Sequence, residues 1–94
     1  MNLLEAAPSL SPSVALRPEP FGALAYHFGN RRLTFLKRRE LVNVVHALDG
    51  SRSLREVLQS CNIEEHQWPV FSEAIGRLVE SEMILIPEGA IHGR

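Results

Sequence analysis

Residues 17–37 read RPEPFGALAYHFGNRRLTFLK, and the reading of this stretch decides the fold. Gly22 to Phe28 alternates in side-chain size, Gly29-Asn30 supplies the residues of a tight turn, and Arg31 to Lys37 returns as a second strand. Along the outgoing strand Leu24, Tyr26 and Phe28 share one face, and Ala23, Ala25 and His27 share the other. Along the return, Leu33 and Phe35 share a face, opposite Arg32, Thr34 and Leu36. The bulky faces suit a sheet packed on helices from one side. Upstream, Ser13 to Arg17 (SVALR) reads as a short strand joining this hairpin, and Pro18 and Pro20 then break it.

Downstream of Arg38 the periodicity changes from two to 3.6. Leu41, Val44, Val45 and Leu48 form one apolar stripe, so a helix is expected over about Arg38 to Leu48, closed by Asp49-Gly50. Ser53 with Glu56 three residues later makes a capping box for a second helix, which stops near Cys61-Asn62. A third helix is expected over about Glu65 to Ser81, with Pro69 in its first turn and Trp68, Phe71, Ile75 and Leu78 as its stripe. Met83 to Ile86 is a short apolar run ended by Pro87 and reads as a closing strand or turn. A hairpin ahead of helices places the chain in the α+β class. It leaves one strand at an open edge, which is either a liability or a place to bind an extended peptide.

The chain has 94 residues, 45% of them hydrophobic, which suits one domain with a modest core. The expected organisation is a flexible N-terminal segment over 1–12, with a short helix at Leu3 to Ala7, a folded domain over 13–87 and a tail over 88–94. No apolar run approaches the ~18 residues of a membrane span. The N-terminal residues lack the basic start of a signal peptide, so the expected location is the cytoplasm. A single cysteine, Cys61, fits a reducing compartment. Net charge is −1 but segregated: residues 1–39 carry six basic and two acidic groups, residues 40–94 four basic and nine acidic. Arg31, Arg32, Lys37, Arg38 and Arg39 concentrate positive charge on the returning strand and the entrance to the first helix, a patch that attracts an acidic partner.

Catalytic and metal chemistry find little support. Cys61 and His66 straddle a helix break with no second ligand pair, no oxyanion loop and no orienting group. No phosphate-binding glycine pattern occurs. The expectation is therefore a non-enzyme without cofactor or metal. The order of the second helix, third helix and terminal strand resembles a winged helix-turn-helix, which makes DNA binding the alternative reading. The third helix offers Arg77 against Glu65, Glu73 and Glu80, and an acidic helix is repelled in a DNA groove. Neither nucleic acid nor a membrane is an expected partner.

The run PFGALAYHFGNRRLTFLK, the LDGSRSLREVL block and the apolar third helix together resemble the mycofactocin system chaperone family MftB, within the PqqD-like group of precursor-peptide recognition domains. The resemblance covers about Arg17 to Ile86. It implies three short strands in an antiparallel sheet followed by three helices. It implies binding of the leader of a ribosomally made precursor peptide, added as a strand beside the third strand, and presentation to a radical S-adenosylmethionine maturase. Carried onto this chain, Arg32, Leu33, Thr34, Phe35, Leu36 and Lys37 form the binding edge. Phe71, Ile75 and Leu78 form the facing wall. Apart from the resemblance, the open edge allows a third reading, a self-associating module in which two edge strands pair across a homodimer, and Pro18 and Pro20 flank a hinge where strand exchange is conceivable.

Overall fold

A computed structural model describes residues 2–87. It contains strands β1 (Ser9–Leu10), β2 (Val14–Glu19), β3 (Gly22–His27) and β4 (Leu33–Leu36), helices α1 (Arg39–Ala47), α2 (Leu54–Ser60) and α3 (Trp68–Glu80), and a last strand β5 (Ile84–Leu85). β2, β3 and β4 form an antiparallel sheet in that order, followed by the three helices, as expected of an α+β fold. The likeness to a winged helix is one of element order.

Pro18 does not end β2. It pairs with Ala23, and the strand runs on to Glu19 opposite Gly22. The Phe28 N–H bonds to the Ser13 carbonyl, so pairing alternation leaves Pro18 at a position whose nitrogen faces away from β3. A missing N–H costs nothing in the ladder there. Pro20 and Phe21 make the connection. Gly22 has φ +148, and a Cβ on it would lie 2.0 Å from the Leu36 carbonyl oxygen, so the position requires glycine.

The β3–β4 turn is longer than a two-residue turn at Gly29-Asn30. His27 N–H pairs with the Arg32 carbonyl, and the positive φ of 64° falls on Arg31. His27 organises the loop: its Nδ1 accepts N–H groups from Gly29 and Asn30 at 3.0 and 3.1 Å. Asn30 Nδ2 donates to the Ser81 carbonyl at 3.1 Å, tying the loop to the end of α3.

The sheet packs through its small face. Ala23, Ala25 and His27 are buried with Leu36, whereas Phe28, Leu33 and Phe35 are about 60% exposed. The bulky face therefore points away from the helices, the reverse of the packing suggested by side-chain size. Alanines let α1 approach the sheet backbone closely, and Val44 and Val45 fill the space.

The helices form as their signals indicate. Ser53 and Glu56 complete the capping box, with Ser53 N–H to Glu56 Oε1 at 2.9 Å and Glu56 N–H to Ser53 Oγ at 3.2 Å. Leu54, Val57 and Leu58 are buried beneath it. α3 begins at Trp68 behind a single turn of 3-10 helix, Glu65–Gln67, and buries Trp68, Phe71, Ile75 and Leu78. α2 and α3 end alike. Asn62 and Glu82 take positive φ, and Ile63 and Met83 N–H groups bond back to Leu58 and Leu78. This is the Schellman closure, made here without glycine.

Residues 2–11 make contacts and main-chain bonds with the rest of the chain. Leu3–Glu5 is a turn of 3-10 helix capped by Asn2 and packed on α2 and α3. β1 pairs antiparallel with β5, the expected closing strand, to make a second small sheet. Ala6 and Pro8 carbonyls accept from Leu54 and Gly50, while Leu10 and Ser11 N–H groups donate to Leu48 and Met83. Four main-chain bonds and the burial of Ala6 and Pro8 fasten residues 6–11 to the body. The expected tail over 88–94 lies outside the described residues.

Candidate functional site

The main-chain register identifies which backbone groups β4 offers outward. β3 and β4 pair Ala25 with Thr34 and Ala23 with Leu36, in step with the His27–Arg32 bond. Alternation makes Thr34 and Leu36 the hydrogen-bonded positions, with their N–H and C=O groups turned toward β3. Leu33 and Phe35 are the intervening positions. Their N–H and C=O groups point away from the sheet and have no partner among the described residues. β4 is thus an open edge with two donors and two acceptors. The other edge, β2, is blunted by Pro18 at an outward position.

Side chains divide the nine expected site residues differently. Leu33 and Phe35 lie on the exposed outer face, with Thr34 and buried Leu36 on the helix side. Arg32 and Lys37 flank the strand and are exposed. Phe71 is 2% exposed, Ile75 0% and Leu78 4%. Ile75 and Leu78 are core residues that do not reach an open surface. Phe71 does border one: a shallow cleft of about 20 Å³ between the first turn of α1 and α3, lined by Arg38, Leu41, Val70, Phe71 and Ala74. The Arg38 guanidinium lies 5.2 Å above the Phe71 ring centroid and caps it. Because Arg38 covers the ring, access to Phe71 from the cleft requires Arg38 to move.

Sequence reasoning missed Val70 and Ala74, which lie off the buried stripe of α3. The available signal was Val70 itself, an apolar residue outside that stripe and 55% exposed. It also missed Arg38, taken only as part of a charge run. A larger recess of about 460 Å³ lies elsewhere, between the Leu3–Glu5 turn and α2 and α3, where Arg55 covers Trp68 and bonds Glu5.

Among the described residues, no three His, Cys, Asp or Glu side chains converge at metal-binding range, and no helix is long and apolar enough to cross a membrane. His66 faces Glu64 at 3.4 Å, both exposed. On α3 the exposed Arg77 is paired with Glu73 at 3.5 Å.

Fold and edge define a small α+β domain with an unpaired, basic-flanked strand. Residues 8–85 match the model of the peptide chaperone MftB family. The chain is 45% identical over 83 residues to the peptide chaperone MftB of Mycolicibacterium smegmatis, covering 86% of this chain and 81% of the relative. It is 40% identical over 81 residues to the peptide chaperone MftB of Mycobacterium ulcerans, covering 86% and 73%. The peptide chaperone MftB of Mycobacterium tuberculosis is 40% identical over 76 residues, covering 81% and 70%. No solved structure gives a significant match. The chain belongs to the peptide chaperone MftB family.

Proposed function

We propose that this protein is a non-catalytic adaptor, located in the cytoplasm, that binds the leader of the mycofactocin precursor peptide as an added strand on β4 and presents it to a radical S-adenosylmethionine maturase. The observation that carries this reading is the open Leu33–Phe35 edge, whose chain runs on through Lys37 to Arg38 over the Phe71 ring, with Arg31 and Arg32 ahead of it. The relatives' description as peptide chaperones agrees with a peptide ligand.

Two donors and two acceptors allow about four hydrogen bonds, worth ~1 kcal/mol each net. Micromolar affinity needs about −8 kcal/mol beyond the losses of association. Backbone pairing supplies at most about a third of the gross requirement, so side chains supply the rest at ~25 cal/mol per Å² of apolar burial. An added strand alternates its side chains between the two faces of the sheet. One set meets Leu33 and Phe35 on the outer face. The other enters the helix side, where Val70, Ala74 and the ring under Arg38 wait. Arg38 then pairs with a leader carboxylate as it leaves Phe71, and the flanking cations speed encounter with an acidic leader.

The DNA-binding alternative draws less support. Its recognition helix would be α3, whose exposed Arg77 is engaged by Glu73, with Glu80 exposed one turn on. Titration calorimetry with the intact precursor and a leaderless version tests the proposal. Binding that requires the leader is expected; equal binding of both, or of neither, contradicts it.

A further inference from the structure

The outer face of the main sheet is unlike an ordinary solvent face. Leu24 and Tyr26 lie half-buried along β3, Leu33 and Phe35 stand beside them on β4, and Phe21 and Phe28 extend the surface at either end. Phe21, Phe28, Leu33 and Phe35 are 43–60% exposed. The rings pack on one another, Phe21 against Phe35 at 5.7 Å and Tyr26 against Phe28 at 5.3 Å, both edge-to-face. No described element covers this face. A continuous apolar surface of this kind marks an interaction site rather than scattered exposure.

Its rim selects the occupant. Arg17 lies on the outer face of β2 opposite Leu24, exposed Lys37 continues the alternation of Leu33 and Phe35, and Arg31 is exposed in the β3–β4 turn. Glu19 is the carboxylate nearest in sequence and is held by Arg17 at 3.0 Å. A second copy seated across a two-fold axis would bring cationic rims together, with few carboxylates to answer them. A surface with an apolar centre and acidic margin fits instead. Leu33 and Phe35 connect this face to the peptide edge, since their backbones point outward to the added strand while their side chains stand on the face. A protein docked here lies alongside the bound peptide.

We infer that the outer sheet face, centred on Tyr26 and Phe28 and bordered by Arg17, is where the modifying enzyme docks, through an apolar patch ringed by carboxylates. This rests on the adaptor reading above.

The test uses the pair Arg17→Glu and Phe28→Ser, one on β2 and one at the end of the central strand, neither on β4. Wild type and double variant are titrated separately with the leader peptide and with the purified radical S-adenosylmethionine maturase. Sedimentation and far-UV circular dichroism report association and fold. The expected result is at least a tenfold loss of enzyme affinity with peptide affinity held within twofold. Enzyme affinity that survives the double variant overturns the inference, as does a wild type that does not bind the enzyme. Loss of both ligands by a folded variant also overturns it, because face and edge would then be one site. A wild-type dimer dispersed by the variant assigns the face to a second copy instead. Failure of the wild type to bind the peptide strikes the adaptor reading alone.

Discussion

Replacing Phe35 by proline separates backbone pairing from side-chain contact. The Phe35 N–H points away from β3 and has no partner within the described residues, so its removal costs the free protein no ladder bond. Thr34, which precedes it, is already in extended backbone, as a residue before proline must be. Phe35→Pro also loses a side chain that is 60% exposed, so Phe35→Ala is the reference. Relative to that alanine, proline removes one of about four peptide hydrogen bonds, or ~1 kcal/mol, which is about a fivefold weaker Kd. The ring's own bulk at the pairing edge adds to this. Thr34→Pro is the opposite case. Its N–H is turned to Ala25, so the substitution breaks the sheet and lowers stability rather than affinity alone. Calorimetric titration with the leader peptide, with urea melts for stability, reads both effects. Equal affinity for Phe35→Pro and Phe35→Ala, in folded proteins, refutes strand addition on β4.

Other outcomes follow from the fold. Gly22→Ala sets a methyl against the Leu36 carbonyl and is expected to lower unfolding free energy by about 1–3 kcal/mol, measured in urea; an unchanged midpoint contradicts the close approach. Glu82→Gly relieves a left-handed residue at the end of α3 and should raise stability by about 1 kcal/mol in the same assay. The Ser51 hydroxyl and then its N–H, both donating to Asp49, hold that carboxyl below its ordinary 3.8. The stability this lends is present above 3.8 and lost as pH falls through the lower folded value, so Asp49→Ala should flatten the acid limb of a stability–pH curve.

Much of this fold is legible because local signals agree with one another. The capping box at Ser53 and Glu56, the proline in the first turn of α3 and the stripes of α1 and α3 are short-range features that the structure keeps. What the chain hides is long-range. The bonds that draw residues 6–11 into the body go to Leu48, Gly50, Leu54 and Met83, and no local pattern announces them. Side-chain size suggested the wrong core face for the sheet, because alternation shows two faces without saying which one a helix covers. At the candidate site, the edge strand was readable from the hairpin. Its opposing wall is not, since the stripe of Trp68, Phe71, Ile75 and Leu78 reads first as core, and a wide apolar face can share itself between core and groove. Burial assigns Ile75 and Leu78 to the core and leaves Val70, Ala74 and Arg38 at the surface.

Amide hydrogen exchange with and without the leader peptide tests the central claim most directly. Thr34 and Leu36, already bonded to β3, should be protected in the free protein. The account predicts that Leu33 and Phe35 gain protection when the peptide binds. Gain at Leu16 on β2, with Leu33 and Phe35 unchanged, would contradict it.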